Sequence, residues 1–132
     1  MTARCLIIDD NPVNLELMVY IVQSFGWDTH SATGGEAGLA LTLQLRPDLV
    51  LCDVQMPGMD GYGYVQAVKG DAGLRATPVV AVTACAMVGD RDRLLAAGFD
   101  GYIAKPIDPM TIADTIAAFV PADRRPKPGG WR

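Results

Sequence analysis

The sequence has no apolar run long enough to cross a membrane, because its hydrophobic stretches are short and interrupted. Met1-Thr2-Ala3-Arg4 has no signal-peptide character either, so the chain reads as cytoplasmic, with neither membrane insertion nor export expected. Histidine occurs once, at His30, and the three cysteines, Cys5, Cys52 and Cys85, show no C-x-x-C spacing. A His/Cys zinc site is therefore excluded, and the apolar or small neighbours of the cysteines fit reduced structural thiols. His30 reads as a strand surface residue. Basic charge is sparse over most of the chain. Arg124, Arg125, Lys127 and Arg132 sit in the closing stretch against only Asp123, which leaves 14 acids and 7 bases, a net of −7, on residues 1–120. Such a body lacks the basic face that neutralises phosphates, so direct nucleic-acid binding is not expected.

What remains is 132 residues, half of them hydrophobic, enough for one domain with a real core. We assign residues 1–120 to that domain and read the basic, Pro/Gly-rich residues 121–132 as a disordered tail.

Within the domain, short buried strands alternate with helices. Cys5-Leu6-Ile7-Ile8 is a first strand, ending on Asp9-Asp10. Asn11-Pro12 caps and opens a helix with Leu15, Met18, Val19 and Val22 on its apolar stripe, and Gly26 ends it. Trp27 to Ala32 is a weaker strand, Gly34-Gly35 a turn, and Glu36 to Leu45 a helix closed by Pro47. Leu49-Val50-Leu51-Cys52 looks buried on both faces and ends on Asp53, ahead of the turn-forming Pro57-Gly58-Met59-Asp60-Gly61. A helix over Tyr62 to Lys69 follows, then a loop to Thr77, then a strand from Pro78 to Val82 that stops at Thr83. Residues 86–97 form a helix capped by Gly98, Gly101 to Ala104 a fifth strand ending on Lys105-Pro106, and Pro109 opens a last helix carrying Ile112, Ile116, Phe119 and Val120.

Five alternating pairs imply a flavodoxin-like, doubly wound (βα)5 sandwich with a parallel sheet in the order 2-1-3-4-5. That order brings Asp9, Asp10, Asp53, Thr83 and Lys105 to one crevice beyond the strand ends. Three carboxylates there repel, each pair by about 4 kcal/mol at roughly 4 Å and an effective dielectric near 20. A hard divalent cation relieves this, and Mg²⁺ suits a site of one or two carboxylates, waters and a phosphate. Lys105 adds a point donor for a phosphoryl oxygen and Thr83 a hydroxyl. A carboxylate so flanked can act as a nucleophile towards phosphorus, with positioning and electrostatics supplying most of the catalysis.

The motifs Ile8-Asp9-Asp10, Cys52-Asp53 through Gly61, Val82-Thr83-Ala84 and Tyr102-Ile103-Ala104-Lys105-Pro106, in that order, resemble the receiver domains of two-component response regulators, the CheY-like superfamily, over about residues 4–120. The resemblance implies that Asp53 accepts a phosphoryl group from a phosphohistidine on a histidine kinase or histidine phosphotransfer protein. It implies Mg²⁺ (or Mn²⁺) held by Asp9, Asp10, Asp53 and the Gln55 main-chain carbonyl, Asp9 mostly through water. Lys105, Thr83 and the Ala84 amide would bind phosphoryl oxygens, and Lys105-Pro106 would be cis. Thr83 and Tyr102 would switch together. A mostly inactive ensemble needs roughly 5.5 kcal/mol to become mostly active, which two charged hydrogen bonds at about 1.5 to 3 kcal/mol each nearly supply.

Asn11-Pro12-Val13-Asn14 and the stretch Val80 to Asp90 look most like hybrid-kinase receivers and the stand-alone DivK type, implying phosphorelay partners. Gln55 and Cys85 occupy positions that tune acyl-phosphate hydrolysis. The expected product is a signalling domain rather than an enzyme. Its first helix would meet the phosphodonor, and a protein target would dock on the face of the fourth helix, fifth strand and fifth helix, including Met87, Arg91 and Tyr102. Phosphorylation-dependent dimerisation is compatible with this reading. The alternatives are a receiver excised from a hybrid kinase and a Mg²⁺-dependent phosphohydrolase with an aspartate nucleophile, although Gln55 stands where such enzymes usually carry a second Asp. A dinucleotide enzyme fits poorly, since Gly61-Tyr62-Gly63-Tyr64-Val65-Gln66 lacks the third glycine.

Overall fold

The computed structural model describes residues 3–84 and 88–119. The expected tail, Val120, Cys85 and residues 86–87 of the expected fourth helix, Met87 among them, lie outside the described residues. The elements run β1 (Arg4–Ile8), α1 (Pro12–Ser24), β2 (Asp28–Ala32), α2 (Gly35–Leu45), β3 (Leu49–Asp53), α3 (Gly61–Gly70), β4 (Val79–Thr83), α4 (Val88–Ala97), β5 (Gly101–Ala104) and α5 (Pro109–Ala117). All strand pairings are parallel, in the order β2-β1-β3-β4-β5.

The inner strands β3 and β4, and β1 after Arg4, are largely apolar because they bury both faces, whereas the edge strand β2 is polar and buries only Ala32. In β1, Cys5 and Ile7 pack with Leu15, Met18 and Val22 of α1 and Ile112 and Ile116 of α5. Leu6 and Ile8 point the other way, into a cluster with Tyr64, Val65 and Val68 of α3 and Leu94 of α4. On that second side the Thr42 hydroxyl of α2 donates to Gly38 O at 2.7 Å, which leaves it to accept from the Tyr64 hydroxyl of α3 at 2.6 Å. A polar pair buried this deeply is fully bonded, as burial requires.

Helix ends follow local chemistry, with some departures from expectation. Asn11 caps α1 by accepting from the Val13 and Asn14 N–H groups. The α1 stripe also buries Ile21, and Val19 is only partly buried against the core. Gly35 belongs to α2 rather than to a turn, and α2 is ended by Arg46 in the left-handed conformation (φ 50°), ahead of Pro47. Asp108, not singled out in the sequence, caps α5 through Met110 N. His30 is only half exposed, with Nε2 at 3.3 Å from Asp28 Oδ1.

Candidate functional site

Strand register sets how far each functional residue projects from the sheet. Ile8 pairs with Cys52, and Asp53 with Val82, so Asp9 and Asp53 stand level. Thr83 lies one residue beyond that level, and Ala104 pairs with Thr83, so Lys105 lies two beyond. At about 3.3 Å per residue its Cα sits roughly 7 Å further out, which a lysine stem can span in returning to the carboxylates. It does return: Lys105 Nζ is 3.4 Å from Asp53 Oδ1 and 3.9 Å from Asp9 Oδ2. The Lys105 N–H donates to Thr83 O at 2.8 Å, and the following Lys105-Pro106 bond is cis.

Asp9, Asp10 and Asp53 each offer an oxygen within 4.8 Å of the others. Asp9 is wholly buried and Asp53 is 7% exposed, whereas Asp10 faces solvent. Asp9 Oδ1 accepts from the Asn11 N–H at 2.9 Å, but its buried Oδ2 has no hydrogen-bond partner. Burial, and then the charge of Asp9, push the Asp53 carboxyl above the usual carboxylate range, against the opposing pull of the Lys105 ammonium and the Gln55 N–H. One ammonium thus serves two buried carboxylates, and one buried oxygen, Asp9 Oδ2, is left without a hydrogen bond. This oxygen-rich, under-neutralised donor set fits a hard divalent cation. Burial pushes the neighbouring Cys52 thiol well up, so it stays neutral beside the site.

The loop after β3 carries Gln55 and closes at its root, where the Gly61 N–H donates to Val54 O at 2.9 Å. A Cβ on Gly61 would come within 2.6 Å of Asp53 O and 2.7 Å of Val54 Cα. Only a glycine lets α3 start this close to the acid-bearing strand. Thr83 is buried at its strand end and Ala84 beside it is exposed. Tyr102 is half-buried against the cluster on the α3 side of the sheet.

A matching family model supplies the family: the response regulator receiver domain, over residues 5–117. The chain belongs to this family. As a receiver domain it has relatives of the same extent. It is 36% identical over 120 residues to the polar-differentiation response regulator DivK of Brucella ovis, covering 91% of this chain and 98% of that protein. The chemotaxis protein CheY4 of Vibrio cholerae superposes with a TM-score of 0.86 at 27% identity, over 91% of this chain and all of that one. The receiver domain of the sensor histidine kinase PA1611 from Pseudomonas aeruginosa, solved with a magnesium ion coordinated in the active site cleft, matches with a TM-score of 0.83 at 28% identity, over 90% and 98% of the two chains.

Sequence reasoning missed a cavity of about 560 Å³ beside the receiver site, between the β3–α3 loop and α4. Met56 and Tyr62 line one wall, Arg93 and Leu94 the other, with Thr83 at its edge. Arg93 and Leu94 occupy a helix whose pattern carries no motif, so no signal in the chain pointed to them.

Proposed function

We propose that this receiver domain stores a phosphoryl group on Asp53. The observation that carries this reading is the grouping of Asp9, Asp10 and Asp53, with the Lys105 ammonium beside Asp9 and Asp53. An Asp53 carboxylate oxygen attacks phosphorus in a phosphohistidine, an O–P bond forms as the N–P bond breaks, and the departing imidazole takes up a proton. Asp9, Asp10, Asp53 and the Gln55 carbonyl would hold Mg²⁺ or Mn²⁺. The bound ion supplies positive charge for the transferring oxygens. Lys105 donates to one phosphoryl oxygen, and the Thr83 hydroxyl and Ala84 N–H serve another. Thr83 drawn onto the phosphoryl group and Tyr102 turning inward would report the charge to the surface. Gln55 and Cys85 would set the acyl-phosphate lifetime.

The partners in this reading are a histidine kinase or phosphotransfer protein in the cytoplasm and a protein target on the α4-β5-α5 face, where Arg91 is exposed. DivK, a named response regulator aligned over nearly its whole length, supports the signalling role. Incubation with a small phosphodonor and Mg²⁺ should add one phosphoryl group to the intact mass. An unchanged mass, or a product that persists in Asp53→Asn, sinks the reading.

The donor surface is α1. Val13, Leu17 and Tyr20 form an apolar stripe on its outer face, 73%, 48% and 72% exposed. Transfer from a phosphohistidine protein should slow about tenfold more than transfer from the small donor in Tyr20→Ala, as expected for losing ~1.4 kcal/mol of docking energy. Equal slowing of both reactions would move the donor surface elsewhere.

A further inference from the structure

The loop that carries Gln55 is fixed at its root by the bond from Gly61 to Val54, and on the α4 side by Met56, which is 8% exposed. Its other flank rests on α2. A Cβ on Gly35, in the first turn of α2, would collide with the Met59 carbonyl oxygen and lie 2.9 Å from Met59 Cγ. A Cβ on Gly63, in the first turn of α3, would lie 3.2 Å from the same carbon. Two glycines from two helices therefore leave the seat that Met59 occupies, half-buried.

We propose that Met59, seated between Gly35 of α2 and Gly63 of α3, is a positioning residue for the cation: it fixes the Gln55 carbonyl relative to Asp9 and Asp53. The inference rests on the metal-binding reading above. Gap filling alone is an ordinary task for methionine. Here, though, the contact at Gly35 includes the main-chain carbonyl of Met59, so anything that disturbs it shifts the loop backbone itself. Affinity for the cation then depends on α2, a helix that contributes no ligand.

The test is a Mn²⁺ titration followed by electron paramagnetic resonance, well below the unfolding temperature, with thermal unfolding measured alongside. Met59→Ala and Gly35→Ala should each weaken Mn²⁺ binding by about tenfold, the lower range of what partners of metal ligands contribute. Met59→Leu, which restores volume in the seat, should bind close to wild type. Ile116→Val, a core truncation on the opposite face of the sheet, should lower the unfolding temperature and leave Mn²⁺ affinity unchanged. Wild-type affinity in both Met59→Ala and Gly35→Ala, or an equal loss in Ile116→Val, overturns the proposal. If Met59→Ala does not fold, Gly35→Ala with Met59→Leu decides the matter. Should wild type bind no Mn²⁺, or Asp53→Asn bind it as tightly, the metal-binding reading itself fails and takes this inference with it.

Discussion

Lys105→Ala should accept a phosphoryl group from a small donor about 10²- to 10³-fold more slowly than wild type, the usual effect of removing one preorganised donor from a developing oxyanion. The ammonium stands 3.4 Å from Asp53 Oδ1, on a side chain that must fold back from two residues beyond the acid level. An arginine there would present a rigid fork instead of a compact point charge, so Lys105→Arg should recover little of the rate. Single-turnover transfer followed by intact mass gives the rates. The same variant separates two explanations. Without the ammonium the three acids should bind Mn²⁺ at least as tightly as before, so a slow reaction with undiminished metal binding assigns the loss to the missing donor. Normal rates in Lys105→Ala would remove Lys105 from the reaction.

The second large effect runs in the opposite direction. In metal-free buffer at neutral pH, Asp53→Asn should unfold at a higher temperature than wild type. Burial and the charge of Asp9 raise the Asp53 pKa, so the ionised carboxylate is less favourable in the folded domain than in the unfolded chain. A neutral isostere removes that penalty. About 1 kcal/mol moves the midpoint of a domain this size by roughly 4 °C, so a shift of several degrees is expected. Because the pKa is raised, the penalty is fully present above the folded-state value. It fades as pH falls through that value and is gone below the unfolded value of 3.8. The gap between the two proteins should therefore close on acidification. Asp28 titrates the other way, held below the usual range by His30 and Arg4, so the comparison is made between proteins at each pH. Excess Mg²⁺ should reverse the order: a ligand at 100 times its Kd stabilises the protein that binds it by ~2.7 kcal/mol. Calorimetry with chelator and with Mg²⁺ tests both signs, and a wild type more stable than Asp53→Asn without metal refutes the account.

The parts of the structure that were legible in the chain are those where many residues vote together. Strands buried on both faces read as runs of Leu, Val and Ile, and each stops at a polar residue at the same edge of the sheet. From there the order 2-1-3-4-5 brings Asp9, Asp10, Asp53, Thr83 and Lys105 together. Features decided by one backbone angle or one contact were harder to see. Pro47 is the visible stop for α2, yet the helix ends at Arg46 with φ 50°, and an arginine carries no mark of that conformation. The sharing of Thr42 between Gly38 and Tyr64 joins positions 22 residues apart, which no periodicity reveals. Gly34-Gly35 reads as a turn because two glycines adjoin, whereas the space at Gly35 is set by the distant Met59. Asp60 reads as a turn residue in the sequence and is also the cap of α3, accepting from the Gly63 N–H.

The stepped register of the strand ends has a consequence for which changes of sequence length the domain can absorb. Loss or gain of one residue inside β4 could leave a sheet and much of the hydrophobic pattern, yet it would turn Thr83 to the opposite face and carry it out of line with Asp53. The same change between Gly70 and Pro78, before the strand begins, would be taken up by the connecting turn. Point substitutions in the strands test packing, whereas insertions and deletions test the count. In this fold the distance between Asp53 and Thr83 is kept as a number of residues.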